Sequence, residues 1–182
     1  MAGRKWRIHS DTKIASDFTV GEYKAIRPSL DLNDPLTPEW SRVRKAFQRR
    51  IYERFLLPIR EMERHDKKEM EKRPTRAGFA IMALDCLLID TIQSFREGRI
   101  STGEVSSSTS FRSFLKSKNF AEFKRDDRDD FVNDVRNGLI HNAETRRDWK
   151  ITIGSNCLLS IDTQEKTRTI NRRIFHCRVL CF

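Results

Sequence analysis

The sequence predicts a mainly α-helical protein: a compact helical bundle with a small β-hairpin near its C-terminal end. Three observations carry that expectation. Apolar residues recur at the helical period of about 3.6 in two long segments, beginning near Pro38 and Asp126, and fill a third from Ala77 almost all round. Composition agrees, with 37% apolar and 34% charged residues over 182 positions, enough for one sizeable core. Only after Trp149 does the period change to an alternation that suits strands.

Taken in order, residues 1–36 read as an N-terminal extension and connector, and 37–182 as the helical domain. The extension ends in RPSLDLNDPLTP, where Pro28, Pro35 and Pro38 with Asp31, Asn33 and Asp34 favour an extended run. Thr37 and Pro38 then read as an N-cap followed by proline at the first helical position. The helix they open places Trp40, Val43, Phe47, Ile51 and Phe55 on one face and is expected to bend or stop at Pro58. Residues 59–73 are nearly all charged and read as a solvated helix extension. GFAIMALDCLLIDTIQSF is apolar almost all round, the mark of a central buried helix, with Gly98 as its C-cap. STGEVSSSTS, 101–110, reads as a polar loop. A short helix with Phe111, Phe114 and Leu115 follows. The last long helix runs over about 126–143, its first turn rich in aspartate, which suits the positive end of the helix dipole. WKITI and CLLSI, flanking Gly-Ser-Asn, are expected to pair as a hairpin over about 149–162, and Asn171 to cap a final helix, RRIFHCRVLCF.

Charge and cysteines narrow the classes. Net charge is +10, which points towards a polyanion such as nucleic acid. No uninterrupted apolar run approaches the roughly 18 residues of a membrane span, and MAGRKWRIHSDTK lacks a secretory core. A cytoplasmic protein without a membrane partner is expected. Cys86, Cys157, Cys177 and Cys181 form no CxxC pair and read as free thiols. A zinc site from Cys157, His176, Cys177 and Cys181 would have a spacing unlike known ligand patterns, so no metal or cofactor is expected.

The candidate site lies in DDFVNDVRNGLIHNAETRRDW, residues 129–149. Phe131, Val132, Val135 and Leu139 keep the helical period, yet Arg136, Gly138 and His141 interrupt it. Arginine and histidine together suit RNA cleavage without a metal. That reaction needs a proton taken from the 2′-OH, a proton given to the leaving oxygen, and charge stabilisation on the phosphorane-like transition state. Histidine titrates in range for the transfers, and the guanidinium fork matches phosphate oxygens. Spacing alone decides little, because Arg4 to His9 and Arg60 to His65 repeat it. The first decoy falls at the terminus, and the second on a helix with almost no apolar face.

RNGLIH, set in a strongly amphipathic helix beside a very apolar one, resembles the HEPN superfamily, the higher eukaryotes and prokaryotes nucleotide-binding domains. That family's signature is an arginine, four to six residues, and a histidine, often with a polar residue directly after the arginine; here Arg136, Asn137 and His141 match. The apolar helix, the loop, the Phe-rich segment and the stretch from Asp130 to Trp149 extend the likeness over roughly 40–175. The resemblance implies a HEPN-like helical bundle that dimerises with its motif at the interface. It also implies a metal-independent endoribonuclease of toxin–antitoxin, phage-defence or RNA-processing systems, with an antitoxin or other regulatory protein as partner. Some members only bind RNA or nucleotides.

Residue roles follow. On a straight helix Arg136 and His141 stand about 140° apart, so either Gly138 breaks or bends the helix or two copies meet across a two-fold axis. Asp90, a carboxylate in an apolar helix, is expected to orient Arg136 or His141, and Asp85 also needs a partner. Glu144 is a weaker candidate. Arg146, Arg147 and Lys150 are placed to hold flanking phosphates of RNA, or else are solvated surface charge. The phenylalanines at 111, 114, 120 and 123 are expected in the core. The alternatives are a HEPN-like module that binds RNA or a partner without cleaving, and a basic helical DNA-binding regulator. The second would need a recognition helix, and none is evident.

Overall fold

A computed structural model of the chain describes residues 8–69, 77–98 and 107–181. The protein is mainly helical with a small sheet towards the C-terminal end. Its contacts gather into two compact units, Met1–Arg60 and Glu61–Phe182.

In the first unit, β1 (Lys13–Ala15) pairs antiparallel with β2 (Phe18–Thr19). Thr19 opens α1 (Val20–Ile26) through a capping box. Its Oγ1 accepts from the Glu22 N–H at 3.2 Å, while Glu22 Oε2 accepts from the Thr19 N–H at 2.8 Å. These elements are too short to announce themselves by period. A 3-10 turn, Arg27–Ser29, leads into the proline-rich connector, where Asp31 and Asp34 each accept from the backbone N–H two residues on. Helix α2 (Pro38–Ile51) starts where Thr37 and Pro38 place it, with Thr37 Oγ1 accepting from the Trp40 N–H. Ala15, Phe18 and Ala46 form a small core flanked by Ile14, Tyr23, Ile26 and Val43.

Proline 58 does not stop the helix. Tyr52–Leu56 widens into a π turn in which the Leu57 N–H reaches the Tyr52 carbonyl, and α3 (Leu57–Glu69) continues beyond it. The wider turn interrupts the i→i−4 ladder where proline could not have joined it. The stretch read as a solvated helix extension is helical as far as Glu69, and 70–73 lie outside the described residues, but it is not solvated throughout. Arg60 and His65 are exposed, but Asp66 is buried.

In the second unit, α4 (Gly78–Arg96) contacts α5 (Ser107–Phe114), α7 (Asn137–Asn142), α8 (Arg172–Leu180) and β3 (Trp149–Thr152). It buries Ile81, Met82, Asp85, Cys86, Leu88, Ile89 and Gln93. Phe79, Leu87 and Phe95 stay partly exposed, so the helix is central but not covered on every side. It ends at Arg96 with Glu97 as its C-cap, one residue before Gly98, whose φ of +62° suits a residue without Cβ. Among the described residues α4 alone is long and apolar enough to cross a membrane, with 19 residues and a mean hydropathy of 1.4. Asp85 and Asp90 interrupt its apolar run. Both aspartates pair with basic side chains of other elements (Asp85 with His176, Asp90 with Arg136), as in the core helix of a globular unit.

The polar loop read at 101–110 lies outside the described residues as far as 106, and from Ser107 the chain is helical. Phe111, Phe114, Phe120, Phe123, Phe131 and Phe175 are all fully buried. Phe131 sits among Phe111, Phe123, Phe175 and Trp149, with ring centroids 5.3–6.1 Å apart. The last long helix occupies α6 (Arg125–Asp130), a π turn (Phe131–Arg136) and α7.

The sheet differs from the expected hairpin. Strands β3 and β4 (Leu159–Asp162) do not pair; β5 (Thr167–Asn171) lies between them, parallel to β3 and antiparallel to β4. The hairpin is therefore 159–171. Alternation in WKITI and CLLSI marks two strands correctly but says nothing about which strand each one meets. Asn171 caps α8, its Oδ1 accepting from the N–H groups of Arg173 and Ile174 at 2.9 and 3.2 Å.

Candidate functional site

Phe131, Val132 and Val135 anchor the π turn in the core, and the Asn137 N–H reaches back to the Val132 carbonyl. Arg136, the last residue of that turn, faces α4. Its Nη2 lies 2.5 Å from Asp90 Oδ2, and its Nη1 donates to Asn137 Oδ1 at 2.7 Å. Both ion-pair side chains are largely covered, 12% exposed for Arg136 and 15% for Asp90. Asp90 therefore orients the guanidinium, as its place in the apolar helix suggests. In such cover the pair is little screened.

His141 stands apart from this group. It is exposed on the last turn of α7 and has no hydrogen-bonded partner among the described residues. Gly138 does not break the helix, which is regular from Asn137 to Asn142. Its role is close approach. The chain leaves α7 through Ala143 in the left-handed region, φ +58°, and folds back. A Cβ at position 138 would collide with the Glu144 carbonyl oxygen. The Arg146 N–H then donates to the Asp134 carbonyl at 2.8 Å. Only glycine leaves room for that return.

The three flanking cations are all exposed but differently held. Arg146 Nη2 donates to Asn142 Oδ1 at 2.5 Å. Arg147 lies 3.7 Å from Asp134 and 4.0 Å from Asp130, too far for more than loose ion pairs, and is 74% exposed. Lys150 sits on the sheet in register with Thr169 and Ser160, lining a shallow groove of about 670 Å³. Glu144 is exposed and offers its backbone, not its carboxylate, to the helix.

No family model, characterised protein or solved structure matches this chain.

Two polar clusters escape a reading of the sequence. Asp85, fully buried on α4, meets His176 Nδ1 of α8 at 2.7 Å, leaving Nε2 as the other ring nitrogen. Burial by itself would lower the imidazole, but the Asp85 hydrogen bond and charge, with Glu63, outweigh it and raise His176 above its ordinary value. Burial likewise raises the Asp85 carboxyl. Next to them Arg172, 3% exposed, donates to Glu63 Oε1 at 3.3 Å and Asp66 Oδ2 at 3.2 Å. The pairs join residues 91, 106 and 109 apart in sequence, so no local spacing reveals them. The only cue is charge in unexpected places: Asp85 within an apolar helix, and Arg172 beside the Asn171 cap. His176 is thus turned to a carboxylate, and Cys157, Cys177 and Cys181 are exposed free thiols. Among the described residues no group of three or more His, Cys, Asp or Glu side chains is arranged to hold a metal ion.

Chemically, Arg136 offers a guanidinium preset by two neighbours, and His141 an accessible imidazole about one turn further on.

Proposed function

We propose that this protein is a metal-independent endoribonuclease of the HEPN type. The observation that carries the proposal is the Asp90–Arg136–Asn137 group, in which the arginine of RNGLIH is fixed and aimed while the histidine of the same motif is left accessible. An arginine serving only as a snorkelling edge residue would not need both a carboxylate and an amide to orient it.

Because α7 is regular between Arg136 and His141, the two diverge by about 140° around one helix. Convergence on one phosphodiester then requires a second copy of the chain, related by a two-fold axis. In that arrangement one His141 removes the 2′-OH proton and the other protonates the leaving oxygen, while Arg136 stabilises the phosphate charge. The products would carry a 2′,3′-cyclic phosphate or its 3′-phosphate hydrolysis product. A cytoplasmic homodimer acting as a toxin or defence nuclease, with an antitoxin or regulatory partner, fits this chemistry.

A second reading is a HEPN-like module that binds RNA without cutting it. It is favoured by the carboxylate 2.5 Å from Arg136, which already takes up part of the guanidinium's charge. Incubation of total RNA with the protein in EDTA separates the two. Cleavage that is lost in His141→Ala supports the nuclease; intact RNA with the wild-type dimer, or cleavage retained in His141→Ala, refutes it.

A further inference from the structure

Helices α5 and α6 flank a cleft of about 430 Å³ that plays no part in the site above. It is lined by Thr109, Arg112, Lys116, Arg125, Arg128 and Asp129. Four cations thus face one carboxylate. The arrangement is built on the phenylalanine core: Phe111 and Phe114 bury the other side of α5, and Phe123 and Phe131 flank α6. Arg112 Nε is held by Asp129 Oδ1, and Arg128 Nη1 donates to the Phe123 carbonyl at 2.8 Å. These bonds fix two guanidinium groups in the wall, while Lys116 and Arg125 are exposed at the opening.

A concave surface with such an excess of one sign focuses potential and draws anions. The lining also says which kind. It contains no apolar side chain to enter a lipid interface, so an anionic membrane is disfavoured. It contains no aromatic ring, so bases have no stacking platform, and backbone phosphates are the matching groups. Four cations, from α5, the turn after it and α6, exceed what a single phosphate takes up.

We propose that this cleft binds the sugar–phosphate backbone of an RNA strand, without regard to sequence, as a second contact region of the protein. Taking the polymer to be RNA rests on the ribonuclease proposed above. The phosphate chemistry rests on the cleft alone.

The test measures fluorescence-anisotropy binding of short single-stranded RNA homopolymers to the full chain carrying His141→Ala, so that nothing is cut. Lys116→Gln/Arg125→Gln changes only exposed side chains, and Lys24→Gln/Lys45→Gln, also exposed, removes equal charge elsewhere. The expected result is roughly a tenfold loss of affinity in the cleft variant for every homopolymer. The slope of log K against log salt should also fall by about 1.4, near 0.7 for each phosphate contact removed. The control pair should bind as the parent does. Equal losses in the two pairs, or none in the cleft pair, overturn the proposal. So does competition in which inorganic phosphate at matched ionic strength displaces RNA with an affinity equal to the oligomer's, because the ligand is then a free anion. Cleft-dependent binding to phosphatidylserine vesicles without RNA binding also overturns it. Should the wild type bind RNA through the cleft yet never cut it, the ribonuclease fails and the cleft stands.

Discussion

His141 and Arg136 share a motif, yet their removal should have opposite physical signatures. His141 is exposed without a bonded partner among the described residues, so His141→Ala should leave stability within about 0.5 kcal/mol of wild type and, under the proposed ribonuclease function, abolish cleavage. Arg136→Ala instead strands a mostly covered carboxylate at Asp90, and should cost about 2–4 kcal/mol in a urea melt. Asp90→Asn in the same background should recover part of that loss. Gly138→Ala tests a different cause. Its methyl would overlap the Glu144 carbonyl, so the melting temperature should drop by the equivalent of about 1–3 kcal/mol. At this scale the sequence exposes Arg136, Asn137, His141 and Asp90, since each breaks an apolar period. It hides His176 and Arg172, whose partners are 91 or more positions away.

At the scale of elements, α8 depends on its cap and on its buried pairs. Asn171 is 2% exposed and bonds two N–H groups of the first turn, so Asn171→Ala should destabilise by about 1–2 kcal/mol, read by thermal circular dichroism. The His176–Asp85 pair gives α8 a pH dependence. The folded imidazole holds its proton more tightly than the unfolded one near 6.5, so its contribution is complete below that pH and is lost as pH rises through the raised value. Asp85, also raised, acts in the same direction as it ionises, from about 4 upward. The difference in melting temperature between wild type and His176→Gln should therefore shrink from pH 6 to pH 9; a constant difference would refute the coupling. Helix starts at Thr37 and Asn171 are written locally, in side chains that bond their own backbone, and the stop near Gly98 in a residue free to take a positive φ, so these could be read. A charged helix beyond Pro58 could also be read, but the π turn that carries the chain past the proline could not, because no residue preference marks it. The partner of β3 was equally hidden, since alternation fixes a face and not a neighbour.

At the scale of the whole molecule, the second unit is closed by its last described residues. Strand β5 completes the sheet, Arg172 pairs with α3, and His176 with α4. A chain ending before Thr167 should lose cooperative unfolding of this unit, with collapsed dispersion in its amide NMR spectrum; a native-like spectrum would contradict the assignment of these contacts as essential. Strand β3 also sets an order of events during synthesis. Trp149 pairs with Arg168, while β4 and β5 need only their own short turn. The later hairpin can form as soon as it leaves the ribosome, whereas the earlier strand must wait for it with its amides unclaimed. In this protein the older segment is the last to find its place, and a pause in translation between the two would prolong its exposure to aggregation or to a chaperone's grip.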